Sequence, residues 1–250
     1  MRPFLRIGLI QRCPLVIQYD ICACPVTLTS NTAVTAWNGV ILGLLSHGRE
    51  TPVHLGKLME QEPDFAMGHA ARGLFCLMTG RAEVLPPAHQ ALAAAKASAA
   101  HTTITAREHA WITALELWLD GKPTAAIAAV EASLRALPHD TVTAKLSHGI
   151  RFMLGDAIGM RASVERVLSA HAPDHPCTGY LLGCHAFSLE ETGAYDEAER
   201  TGRRGLDYAK DDAWGLHAVA HVYDMTARTE DGIALIDGNH AAWDLSLIHI

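Results

Sequence analysis

The sequence predicts an all-α chain built from antiparallel helix pairs, and three observations carry that expectation. Alanine-rich stretches such as Ala91 to Ala100 favour helix, while β-branched runs of alternating polarity are scarce. Gly80, Gly121, Gly155 and Gly193 each follow an apolar segment of helical period, and Ala227 occupies the same place once more. Those five positions lie 41, 34, 38 and 34 residues apart, so the chain repeats itself.

Two of the gaps equal the 34-residue tetratricopeptide period, and the other two fit that period with small insertions. The expected fold is therefore a tetratricopeptide-like right-handed superhelix of antiparallel helix pairs. Helices are expected near residues 32–46, 64–79, 84–100, 103–120, 122–136, 141–154, 157–171, 177–192, 195–209, 213–227 and 230–237. Pro63 with Asp64, and Pro138 through Asp140, supply starts and stops. Around Gly193, Ala186 takes the small position of the first helix, Tyr195 and Ala198 open the second, and Leu206 packs back. Around Gly121, Ala114 and Ala126 are the small residues, Leu134 packs and Pro138 ends the repeat. Small residues let paired helices approach, glycine ends a helix in the left-handed conformation, and proline blocks continuation. No pair buries its apolar face alone, so neighbours must stack.

Three segments are expected: an N-terminal extension over 1–18, a repeat domain over 19–244 and an atypical tail over 245–250. Arg12 and Pro14 interrupt the first apolar run, and neither a signal peptide nor a membrane-spanning helix is read there, which points to a cytoplasmic protein. The net charge of -7 argues against nucleic acid or an anionic membrane surface as partner, since both need clustered Lys and Arg. Six cysteines form no disulfide framework; Cys22 and Cys24 make a C-x-C that no second pair answers, so buried reduced thiols are expected.

The stretch Leu182 to Gly193, LGCHAFSLEETG, with Tyr195, Ala198 and Glu199 after it, resembles the tetratricopeptide repeat protein 38 family. So do Trp214 to Met225, WGLHAVAHVYDM, with Gly232 and Ile233, and upstream Pro63 to Gly68, Arg107 with Glu108, and Met160, Arg161, Ser163 and Arg166 to Leu168. The likeness covers roughly residues 19 to 244. It implies a tetratricopeptide-like fold and no particular reaction. Family members continue with further helices past the position of Trp243, so the resemblance implies a C-terminally shortened chain whose exposed terminal helix could pair two copies.

In a tetratricopeptide register the first helix of each pair lines the concave face. Its second, fifth, ninth, twelfth and thirteenth positions point inward. These place Glu108, Trp111, Lys145, Tyr180, Glu190, Glu191, Trp214, His217, His221 and Asp224 on the groove, with Trp118 and Phe187 beside them. Such a groove is aromatic and acidic. It suits a protein, a basic or neutral peptide, or a cationic small molecule, with Trp111 and Trp214 as anchors. Only Lys145 answers the Lys, Arg and Asn set that holds a C-terminal carboxylate in chaperone-tail receptors, so that mode is not expected.

His217, His221 and Asp224 form one helical column at i, i+4 and i+7. The alternative to a binding scaffold is therefore a metal-dependent enzyme or metal-binding protein using this pair with Glu190 or Glu191. Ala218 stands where H-E-x-x-H peptidases carry glutamate, and no nucleophile elbow or phosphate loop is present. No catalytic residue, cofactor or bound metal is assigned. A third reading is a fragment whose site needs further helices. His148 falls at a position normally held by a small residue, where a buried ring must find a partner.

Overall fold

The computed structural model describes residues 17–244. The expected extension, apart from its last two residues, and the expected tail over 245–250 lie outside the described residues, as does Cys13.

The described chain opens with a small antiparallel hairpin, β1 (Gln18–Tyr19) and β2 (Pro25–Val26), in the register Gln18 to Val26 and Tyr19 to Pro25. Helices follow: α1 (Asn31–Ser46), α2 (Thr51–Gln61), α3 (Ala66–Met78), α4 (Leu85–His101), α5 (Ala106–Leu119), α6 (Pro123–Ala136) and α7 (Thr141–Met153). Then come α8 (Ala157–Val167), α9 (Thr178–Glu190), α10 (Tyr195–Tyr208), α11 (Ala213–Met225), α12 (Thr229–Gly238) and the short α13 (His240–Asp244). The fold is all-α, as the repeat pattern predicts. No described helix is long and apolar enough to cross a membrane.

Successive helices pack as pairs, and the expected turn positions separate them. Gly80, Gly121, Gly155 and Gly193 have φ of 66°, 72°, 69° and 79°, and Ala227 adopts 56° without glycine's freedom. The structure adds a sixth turn, His47 at φ 59°, which closes α1 and pairs it with α2. Helix α2 was not among the expected helices; Pro52 lies in its first turn, where the missing N–H is harmless. The hairpin was not expected either, since two-residue strands show no periodicity.

Close approach depends on the small residues that the pattern marks. Ala114, Ala126, Ala186 and Ala198 are fully buried. A Cβ on Gly205 would stand 3.0 Å from the Gly179 carbonyl oxygen, so α9 and α10 touch backbone to backbone. First helices also meet one another, α3 with α5, α7 with α9 and α9 with α11. The array curls enough for α1 and α3 to reach α7 as well.

One buried charge cluster ties the hairpin to the helices. Arg107, near the start of α5, donates from Nη1 to Asp20 Oδ2 at 2.5 Å and from Nε and Nη2 to the two oxygens of Asp140 at 2.6 and 2.8 Å. All three side chains are shielded from solvent. Burial opposes the guanidinium charge, but Asp140 and Asp20 more than offset it and hold Arg107 firmly protonated. Asp20 also accepts the Cys22 and Cys24 backbone N–H groups, shaping the hairpin. Asp140 caps α7 through the Thr143 N–H and accepts the Thr143 hydroxyl, whose oxygen accepts the Trp111 indole N–H at 2.8 Å. Cys22 and Cys177, free and buried, sit with their sulfurs 3.7 Å apart beside this cluster, and Cys24 and Cys184 are also free and buried.

Two stability outcomes follow from this framework. Arg107→Leu strands two buried carboxylates and should lower unfolding free energy by about 3–5 kcal/mol in urea titration, whereas an unchanged midpoint would contradict the role given to the cluster. Ala227→Gly removes left-handed strain and should raise stability by about 1 kcal/mol in thermal denaturation, while Gly193→Ala shifts it the other way.

Candidate functional site

Helix α7 carries the residues around which a site forms. Lys145, His148 and Phe152 recur at i, i+3 and i+7 and so share one face. That face meets Trp214 from the first turn of α11, while the turn residue His47 closes over the same indole. The left-handed backbone at His47 is what turns α1 back at this point.

Trp214 is the centre of the resulting cluster. Its ring stacks on His47, with centroids 5.2 Å apart at 18°, and on His217, at 5.7 Å and 5°. His148 and Phe152 meet it edge-on at 5.8 and 5.4 Å, and Phe187 of α9 lies at 4.3 Å. The Lys145 ammonium sits 4.6 Å from the Trp214 ring centroid, within cation–π range. The indole N–H donates to His148 Nε2 at 3.1 Å. Because Nε2 accepts, the neutral imidazole carries its proton on Nδ1. That Nδ1 is buried with no partner, and so is His47 Nδ1.

Between these residues, the α1–α2 turn and α3 lies a cavity of about 390 Å³. Phe75, Met78, Phe152 and Met153 supply much of its apolar wall, and Lys145, His148 and Trp214 form its buried floor. Phe152 and Met153 are 46% and 42% exposed, so the cavity reaches the surface. No Asp or Glu lines it.

Burial controls the titration of the floor. It holds His148 and His47 well below the usual imidazole value, with the Lys145 charge acting in the same direction. It also lowers Lys145, against the opposing pull of the Cys184 thiol and Asp212. Asp212 caps α11 by accepting the Trp214 N–H; burial pushes its carboxyl up to about 7, with Lys145 resisting. Its Oδ2 has no hydrogen-bond partner. Cys184 is pushed up to about 11 by burial, again against Lys145.

The expected groove residues divide into two groups. Lys145, Trp214, His217 and His221 come together along α7 and α11, with Glu190 of α9 at the far end. Glu108, Trp111 and Tyr180 do not join them. Glu108 is wholly buried: Oε1 accepts the Thr27 N–H and hydroxyl at 3.0 and 2.8 Å, and Oε2 completes a capping box with Thr105. Trp111 is core, bonded to Thr143 and packed edge-on against Trp37 at 6.3 Å. Tyr180 donates to Asp211 at 2.8 Å. These three side chains fasten parts of the fold to one another and lie outside the cavity. Glu191 and Asp224 are exposed and lie outside the cavity. The acidic groove expected from the register is thus replaced by a cavity whose charged floor residue is a lysine.

The histidine column forms, with His217 and His221 rings 4.3 Å apart and His221 Nδ1 3.8 Å from Glu190 Oε2. Among the described residues, however, no group of three or more His, Cys, Asp or Glu side chains is placed to hold a metal ion. Asp224 does not supply the third ligand that the spacing implied. Arg166 reaches across to the buried Glu131, which also accepts from Ser147 and Ser163, while Arg161 pairs with Glu165 on its own helix. Sequence reasoning missed His47, because a histidine in a left-handed turn carries no glycine signal. It marked His148 only as an oversized residue at a small position.

No protein-family model matches the chain, and no solved structure matches it.

Five histidines, 47, 148, 171, 175 and 185, are held below their ordinary value by burial, His171 at about 4. The unfolded chain protonates them below about pH 6.5 while the folded chain resists, so stability falls as pH drops through that value. Asp212 acts oppositely, since its raised carboxyl loses its stabilising share as pH rises from 4 towards 7, but the histidines outnumber it. The urea midpoint should therefore drop between pH 7 and pH 5, and His148→Phe should make that slope shallower by up to about one proton. A flat profile would contradict the buried neutral imidazoles.

Proposed function

We propose that this chain is a tetratricopeptide-like binding protein, related to the tetratricopeptide repeat protein 38 family, that holds one small and largely apolar molecule. The ligand sits in the cavity between the α1–α2 turn, α3 and α7. The family relationship rests on the resemblance of Leu182 to Gly193 and Trp214 to Met225, and the tetratricopeptide-like reading on left-handed turns at fixed places with small residues between paired helices. The binding reading rests on one observation. An apolar cavity of about 390 Å³ reaches the surface and has the buried residues Lys145, His148 and Trp214 in its lining.

The volume lies at the low end of the range for small-molecule sites, ~300–1,000 Å³, and such sites combine apolar walls with a few polar groups that orient the ligand. An extended peptide fits less well. Trp214, Phe187 and His217 pack against one another on the inner face of α9 and α11, and His47 covers Trp214.

A neutral apolar fluorophore, N-phenyl-1-naphthylamine, tests this reading directly. It should bind at one equivalent with enhanced emission. Gly149→Leu places a side chain where even a Cβ would stand 3.1 Å from Met78 Cε at the cavity wall, and it should abolish that signal without unfolding the protein. Equal binding by both proteins would remove the cavity from consideration.

A further inference from the structure

The cavity floor is unusual in its balance of donors and acceptors. Lys145 is only 6% exposed, yet it forms no ion pair within 4.0 Å among the described residues. Its charge is met by the face of Trp214 and by the Cys184 thiol, weak substitutes for an anion. Asp212 also acts on it, but that carboxyl is itself raised to about 7 and so is an incomplete counter-charge at neutral pH. A buried lysine therefore lines an apolar cavity whose wall contains no acid.

We propose that the molecule held here is a small apolar carboxylic acid, bound as its anion, with the carboxylate against the Lys145 ammonium and the tail among Phe75, Met78 and Phe152. The inference rests on the cavity being a ligand site and adds the chemistry of the head group. A carboxylate is acceptor-only, which matches an ammonium donor; an amine would bring a like charge and more donors. Charge-assisted hydrogen bonds in a site of low dielectric are short and strong. The anion also supplies the counter-charge that a buried ammonium lacks, so neither partner is left as an isolated buried charge. The sign runs against the chain as a whole. A protein of net charge -7 keeps a single cation at the foot of an acid-free cavity, which excludes cationic ligands and admits anionic ones.

Octanoate, 1-octanol and octylamine share one tail and differ in head group, so calorimetric titration of all three into the full chain separates the two readings. Octanoate should bind about tenfold or more tightly than octanol, the scale of a charge-assisted bond, and octylamine should bind more weakly than either. Lys145→Met removes the charge and keeps an unbranched apolar side chain; it should erase the octanoate advantage, bringing octanoate to within about twofold of octanol in the same variant. Circular dichroism and the thermal midpoint confirm that the variant is folded, and the wild-type comparison stands even if it is not. Octanol binding as tightly as octanoate to the wild type, or an octanoate affinity unaltered in folded Lys145→Met, overturns the carboxylate assignment while the cavity remains a ligand site. Binding of none of the three overturns both.

Discussion

The contact between Arg107, Asp20 and Asp140 is the constraint on which the rest of the structure depends. It joins three parts of the chain that the repeat pattern does not connect: the N-terminal hairpin, the start of α5 and the start of α7. Asp140 serves twice, as the cap of α7 and as the acceptor of the guanidinium. The first turn of α7 is thereby fixed in position and rotation. Lys145 and His148 follow on that helix within two turns, so the direction of the site's polar groups is set by a charge cluster in the core. Buried ion clusters of this kind contribute little net stability, but breaking them is expensive, which makes them effective at enforcing one arrangement.

The cavity is a consequence of how the array curls. A linear stack would leave the inner face of α7 open to solvent, and Trp214 would be an exposed anchor. Here α1 and α3 reach α7, and His47 lies flat over Trp214. Aromatic packing then covers much of the inner face, and an apolar space is left beside α3 and the α1–α2 turn. Lysine and histidine at its floor are poor choices for a core whose only task is packing, because each lacks a full set of partners there. The cluster around Glu131 is the contrast within the same molecule: its carboxylate accepts from Ser147, Ser163 and Arg166, and the fold alone accounts for it.

Much of this was legible in the sequence. Glycines at Gly80, Gly121, Gly155 and Gly193 marked helix ends because only glycine adopts that backbone freely, and Ala227 was found by spacing alone. His47 and α2 escaped because neither carries the usual signal, and the hairpin escaped because its strands are two residues long. The groove register placed Lys145, Trp214, His217 and His221 on one surface, as the structure does. The same register also selected Glu108 and Trp111, which are buried by partners it could not foresee: Thr27 arrives from the hairpin segment and Thr143 from the next pair. The expectation of an acidic groove followed from counting acids near it, but Glu191 and Asp224 lie outside the cavity and Lys145 lines it.

The most direct measurement is a crystal structure of the protein with 8-bromooctanoate, located by the anomalous signal of its bromine. The account predicts one dominant bromine peak between Phe75, Met78 and Phe152, with density for the carboxylate running to Lys145. A bromine peak only elsewhere on the surface, with the cavity closed by the chain's own side chains, would contradict it.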